Sequence, residues 1–284
     1  MDLDSYAVGM HNCLSIPFDD LLKNGFVTRQ VDIRPARSIN TALQLIAVIF
    51  QIQSLQQFGG VSATHLDWTM VPYVRMSFFK HYLIQYLKDT EEFDKLYLFS
   101  LSEEELDNWV EKHKGEYLDK WGLKKEDFRL DNKENLDPHL YQCALFDTRR
   151  EMYQAAEGLY HNLNSLQSRS GNQLPFTSIN YGTCTELEGQ LIIQSLLEGS
   201  LKGVGKHHKT PIFPCGIFQY MKGVNDKPGT PNYYLYRLAL QSTSKRLYPN
   251  YANVNWSGNI GYDPKDPRTY FSTMGKRKLQ PRYD

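Results

Sequence analysis

The sequence has no run of about 18 apolar residues, and its start, MDLDSYAVGM, has neither a basic segment nor a hydrophobic one. Neither a membrane span nor a secretory leader is expected, and the composition reads as a soluble, cytoplasmic protein. Cysteine is sparse: Cys13, Cys143, Cys184 and Cys215 stand far apart, with no CxxC or Cys/His pairing. That spacing excludes a zinc cage and a disulfide framework, so no metal site is expected in this chain. Charge of one sign is also lacking, since 32 Lys and Arg balance 32 Asp and Glu. Such a balance supplies no general field for nucleic acid, and no nucleic-acid partner is expected. Neither a Walker A loop nor a GxGxxG fingerprint occurs.

What remains is a globular composition, 41% hydrophobic over 284 residues, enough for one large domain or two ordinary ones. Charge is local. Sixteen acids face eight bases between Asp89 and Asp137, while Lys265 to Asp284 carries six bases against two acids. Ser38 opens an apolar helix that stops at Gly59-Gly60, and a second helix is expected from about Asp67 to Asp89, so the two read as a packed pair. Residues 89–137 read as a peripheral acidic helical insertion, with a capping box at Ser102 and Glu105. Asp137-Pro138 caps a long helix running towards Ser168 and closed by Gly171.

Beyond this point the rhythm changes. LPFTSINYG reads as a strand, Thr185 with Glu188 caps a helix, and TPIFPCGIFQYMKG reads as another strand. A helix from Thr230-Pro231 to about Leu247, a strand at YANVNW and a further strand at TYFSTMG complete the series. Strands alternating with helices at this spacing predict βαβ units and a parallel sheet.

Three stretches could carry chemistry. In GMHNCLSIPF, Asn12 precedes Cys13 on a short strand, where a thiol could serve redox chemistry or simply be buried. In QQFGGVSATHLD, the residues Gly59, Gly60, Ser62 and His65 lead to a helix start, a pattern that suits either phosphate binding or a tight turn. In SRSGNQLPFTSINYGT, the polar Thr177, Ser178 and Asn180 lie along a strand end where ligands gather in parallel sheets. His207-His208 reads as a solvated basic turn.

Taken together, DLDSYAVGMHNC, the stretch from SINTALQ to VPYVR, SRSGNQLPFTSINYGT, GTPNYYLYRLAL, KRLYPNYANVNW and YFSTMG resemble the catalytic subunit of anaerobic (class III) ribonucleoside-triphosphate reductases, which are glycyl-radical enzymes. The resemblance runs in family order from Asp2 to Gly275. It implies an α/β fold, a partial ten-stranded α/β barrel made of the first half-barrel and the start of the second, carrying the helical pair and the insertion. It implies reduction of ribonucleoside triphosphates to deoxyribonucleoside triphosphates by thiyl and glycyl radical chemistry, with formate as reductant. The radical would be installed by an activating enzyme that uses S-adenosylmethionine and an iron–sulfur cluster. A homodimer, ATP and dNTP effectors, and a structural zinc in a part of the family outside these residues are implied as well.

Residue by residue, the resemblance makes Cys13 a catalytic thiol, with Asn12 beside it and Met274 as the active-site methionine. Gly59, Gly60, Ser62 and His65, with the flanking helices, become candidates for nucleotide binding. After STMG the family continues with its thiyl cysteine, whereas here Lys276 begins KRKLQPRYD. The resemblance stops there, so residues 1–275 are expected to be the barrel part and 276–284 an unrelated basic tail, as after a break in the reading frame. The expectation is a reductase fragment truncated at both ends and inactive by itself. The alternative is an inert nucleotide-binding or dimerising remnant.

Overall fold

The structure, a computed structural model, describes residues 13–28, 31–56, 59–90, 101–167, 173–259, 261–270 and 272. It opens with β1 (Leu14–Ser15), α1 (Phe18–Asn24), a small antiparallel hairpin of β2 (Phe26–Val27) and β3 (Asp32–Ile33), and α2 (Ile39–Gln56). Then come β4 (Val61–Ala63), the single turn α3 (Leu66–Thr69), α4 (Val71–Thr90), α5 (Glu103–Trp121) and α6 (Pro138–Ser165). β5 (Thr177–Tyr181), α7 (Leu187–Lys202), β6 (Cys215–Tyr220), α8 (Tyr233–Arg246) and β7 (Asn250–Asn253) complete the series.

Five strands form one sheet in the order β1-β4-β5-β6-β7, and every neighbouring pair is parallel. The order never reverses, and right-handed crossovers that always advance in one direction put their helices on one face of the sheet. Side chains agree with that geometry. Val61, Ala63, Ile179, Tyr181 and Phe218 belong to the helix-packed core. Their alternates Ser62, Ser178, Asn180 and Gln219 point the other way and are also buried.

The helical layer is held at its ends by chemistry the sequence announces. Ser38 Oγ accepts from Thr41 N, Ser102 and Glu105 form their capping box, and Asp137 Oδ1 accepts from His139 N and Leu140 N ahead of α6. The first turn of α2 is served from three sides: Ser77 Oγ of α4 accepts from Ile39 N at 3.0 Å and Glu151 Oε1 of α6 accepts from Asn40 N at 3.2 Å, beside the Ser38 cap. Glu151 also pairs with His81 at 2.9 Å, so one carboxylate ties α2, α4 and α6 together. Burial pushes the Glu151 acid up, but the hydrogen bond and charge of His81, with Asn40 N–H and the Ser77 hydroxyl, outweigh it and leave the group below its ordinary value.

The acidic segment buries aromatic side chains against α4. Phe128 meets Phe79 edge-on at 4.8 Å and Trp121 meets Tyr82 at 5.4 Å. The expected single helix from Asp67 is broken at Met70, because Pro72 lacks the N–H that would have continued the ladder. The expected Thr185 cap is absent: α7 begins after Glu186, and Glu188 is drawn instead to Arg75 and Leu130 N. A charge-assisted pair outcompetes a local capping bond. Of the strand expected over 269–275, Thr269 lies in a 3-10 turn and Tyr270 packs with Met221 and Val254, while 271 and 273–275 lie outside the described residues.

Replacing Glu151 by Ala should cost about 3 kcal/mol, since it strands His81 and a helix N–H together; urea unfolding measures this. Because the folded-state acid sits below its ordinary value, its contribution is complete above the unfolded carboxylate range and fades as pH falls through the folded value. The gap between wild type and Glu151→Gln should therefore narrow on acidification.

Candidate functional site

Cys13 immediately precedes β1, and β1 runs beside β4 with Leu14 opposite Val61 and Ser15 opposite Ser62. That register sets Cys13 level with Gly60, whose N–H donates to Cys13 Sγ at 3.4 Å. A side chain at Gly60 would meet the Phe176 carbonyl oxygen at 3.2 Å, so the close approach of three chains favours glycine there. Two residues on, Ser15, Ser62 and Ser178 form one lateral row on the face away from the helices, and Cys215 continues it on β6. Asn180 Nδ2 donates to Ser62 Oγ at 3.2 Å and to the Ala63 carbonyl at 2.9 Å. Among the described residues that face carries the hydroxyls of Ser15, Ser62 and Ser178 and the amides of Asn180 and Gln219 beside the apolar Ile217, with the Cys13 thiol at its edge by register. Burial pushes the Cys215 thiol up, so its proton stays on.

A second centre lies at the other end of the strands. Asp67, fully buried in α3, accepts through Oδ2 from the N–H groups of Gly182, Thr183 and Cys184 at 2.9, 3.0 and 2.9 Å. Asn225 Nδ2 donates to the Gly182 and Gln219 carbonyls, and Asn232 Nδ2 to those of Gly182 and Cys184. Trp68 Nε1 donates to Thr183 Oγ1 at 3.0 Å. Three buried side chains therefore satisfy the backbone of the turn after β5. Desolvation pushes the Asp67 acid up despite those donors.

Beside Asp67 on the outer side, His65 Nε2 meets Asp19 Oδ2 at 2.8 Å and its Nδ1 meets Thr64 Oγ1 at 2.6 Å. Thr69 Oγ1 donates to the other oxygen of Asp19. Burial raises the Asp19 acid, but His65 and Thr69 outweigh it and hold the group below its ordinary value. Both ring nitrogens of His65 are engaged, so it positions Asp19 and holds no lone pair ready for a substrate.

The candidates from sequence fall in separate places. Cys13 and Gly60 touch, Ser62 is enclosed on the helix-free face, and His65 faces an outer groove at the far end of β4. Thr177 points to the helical side while Ser178 and Asn180 share the polar face. Asn12 and Met274 lie outside the described residues. Asp67, Asn225 and Asn232 were not singled out in the sequence; the turn at 182–184 that they share lies more than forty residues from each, and no local pattern marks that convergence. Among the described residues no group of three or more His, Cys, Asp or Glu could hold a metal ion, and no helix is long and apolar enough to cross a membrane.

A five-stranded parallel sheet wound in one direction, with helices packed on one face, defines an α/β protein. Residues 1–279 match the anaerobic ribonucleoside-triphosphate reductase family, and the chain belongs to it. It is similar to the anaerobic ribonucleoside-triphosphate reductase of Haemophilus influenzae, at 30% identity over 94% of this chain and 31% of that protein. The Escherichia coli enzyme of the same description is 29% identical over 96% of this chain and 32% of its own length. The chain thus spans about a third of the length of the curated relatives it matches. A solved anaerobic ribonucleotide reductase from Thermotoga maritima, in complex with dATP and CTP, superposes with a TM-score of 0.48 at 11% identity, over 90% of this chain and 35% of that one.

Asp67→Ala strands three buried N–H groups, and at about 1–3 kcal/mol for each unmet donor it should cost at least 3 kcal/mol. Asp67→Asn keeps a carbonyl acceptor and should cost about 1 kcal/mol. Its deficit should shrink further as pH rises, because a buried acid whose value is raised loses stability as it ionises in the fold. Equilibrium unfolding of both variants across pH checks the order; equal losses would refute it.

Proposed function

We propose that this chain supplies the first half-barrel, and the opening of the second, of an enzyme that reduces ribonucleoside triphosphates to deoxyribonucleoside triphosphates. The observation that carries the reading is the pairing of Cys13 with Gly60 at the start of a polar, helix-free sheet face. In a sheet that winds one way, that face becomes the inside when further strands close it.

On this reading Cys13 is the thiol that gives up hydrogen during reduction, and Gly60 N–H holds its sulfur in place. Ser62, Ser178 and Asn180 supply a polar wall that a sugar can face, and enclosure by the barrel keeps water from reactive intermediates. Asn12 and Met274 belong to the same site by resemblance. Formate as reductant, a glycyl radical installed by an S-adenosylmethionine iron–sulfur activating enzyme, ATP and dNTP effectors, homodimer formation and a cytoplasmic setting are parts of the same proposal. Lys276 stands where the resemblance puts the thiyl cysteine, so that sulfur is not supplied at this position.

An anaerobic assay with activating enzyme, S-adenosylmethionine, formate and a ribonucleoside triphosphate tests this. Deoxyribonucleotide should form only when a homologous polypeptide carrying the remaining barrel is added, and Cys13→Ser should abolish it. Product from the Cys13→Ser chain, or from this chain alone, would contradict the reading.

A further inference from the structure

Continued one residue ahead of the strands, the registers of the sheet set Cys13, Gly60 and Phe176 level with one another on three neighbouring chains. Each touches the next. Gly60 N–H donates to Cys13 Sγ at 3.4 Å, and the Gly60 carbonyl accepts from Leu14 N at 3.1 Å. On the other side, a Cβ at Gly60 would lie 3.2 Å from the Phe176 carbonyl oxygen and 3.7 Å from the Phe176 Cβ, and that carbonyl accepts from Val61 N at 2.9 Å. Phe213, two residues ahead of β6, extends the row: its ring meets that of Phe176 edge-on at 5.2 Å.

Phe213 is the fixed end of this row. Asn164 of α6 accepts through Oδ1 from Ile212 N at 2.7 Å and from Phe213 N at 3.1 Å, while its Nδ2 donates to the Phe213 and Tyr160 carbonyls. Phe213 is buried in the helix-packed core, whereas Phe176 keeps 37% of its surface exposed, so the edge contact with Phe213 is what orients the outer ring. Gly60 brings no side chain to the row and loses the most conformational freedom on being fixed, so its place is set by what stands on either side. On one side stand Cys13 and Leu14. On the other stands Phe176, whose ring leans on Phe213.

We propose that Phe176 is a positioning residue for the Cys13 thiol: its ring, backed by Phe213, keeps the Phe176 carbonyl against Gly60, and Gly60 N–H therefore stays on the sulfur. The geometry stands apart from the reductase reading, which enters only in making Cys13 the reacting thiol. On that reading the row carries order from α6 to the sulfur, so that a residue of the helix-packed core fixes a group at the edge of the opposite face. If the two rings merely closed the end of the sheet, their loss would lower stability with no link between Phe176 and Cys13.

Amide hydrogen exchange of the full chain, read residue by residue by NMR, tests this as a double-mutant cycle. Cys13→Ala should speed exchange at Gly60 about fivefold, the worth of one hydrogen bond, and Phe176→Ala should do the same. The two together should be no faster than either alone, and Phe176→Tyr, which keeps the ring, should retain the wild-type rate. The Gly182 amide, held by Asp67 at the far end of β5, should exchange at its wild-type rate throughout. Where Phe176→Ala speeds Gly182 as well, Phe213→Leu, which removes only the backing ring, decides. Faster exchange at Gly60 alone then supports the proposal, and an unchanged Gly60, or equal acceleration at both amides, overturns it. Multiplied effects in the double variant, or a wild-type Gly60 rate in either Cys13→Ala or Phe176→Ala, overturn it too and leave the reductase reading standing. That reading falls separately, if the Cys13→Ser chain supports turnover in the assay above.

Discussion

A carboxylate without water around it holds the architecture together at one end. Asp67 sits in the turn that follows β4, and its Oδ2 gathers the three consecutive N–H groups that follow β5. The same turn of chain is gripped from its carbonyl side by Asn225, after β6, and Asn232, ahead of α8. Three successive βα connections are thereby fixed to one another by side chains that are themselves fully buried. Parallel strands cannot be joined by tight hairpins, so their long crossovers need such ties if the ends are to keep a defined geometry. The price is a charged group in a dry place, offset by three directed donors.

From that clamp the outer groove and the polar sheet face take their positions. Outward, the residues flanking Asp67 line the groove, with His65 and Thr69 both spent on Asp19. Inward, the strands run back to Cys13 and Gly60 through a face of serines and amides. A single helical turn stands between them, and its short length leaves few internal degrees of freedom to absorb a displacement. The insertion at 103–137 braces the same helices through Phe79, Tyr82 and Trp121, and through the Leu130 N–H on buried Glu188.

What could be read from sequence followed the range of the interactions. The starts of α2, α5 and α6 were legible because Ser38, the Ser102 and Glu105 pair, and Asp137 act on N–H groups two or three residues away. The strands β5 and β6 were legible as β-branched and aromatic runs, and the parallel sheet followed from their alternation with helices. β4 was not, since Val61–Ala63 is too short to show alternation and exists because Phe176 and β1 supply its partners. The cap expected at Thr185 failed because Arg75, far away in the chain, competes for Glu188. Asp67 looked like an acid in a helix's first turn, and its partners begin 115 residues later. The family itself was legible, because resemblance sums many weak positions where single residues are ambiguous.

Amide hydrogen exchange at Gly182, Thr183 and Cys184 tests the clamp most directly. The account predicts protection as strong as that of the β5 amides, with all three opening together. Exchange at the rate of an exposed turn, or three unrelated rates, would contradict it.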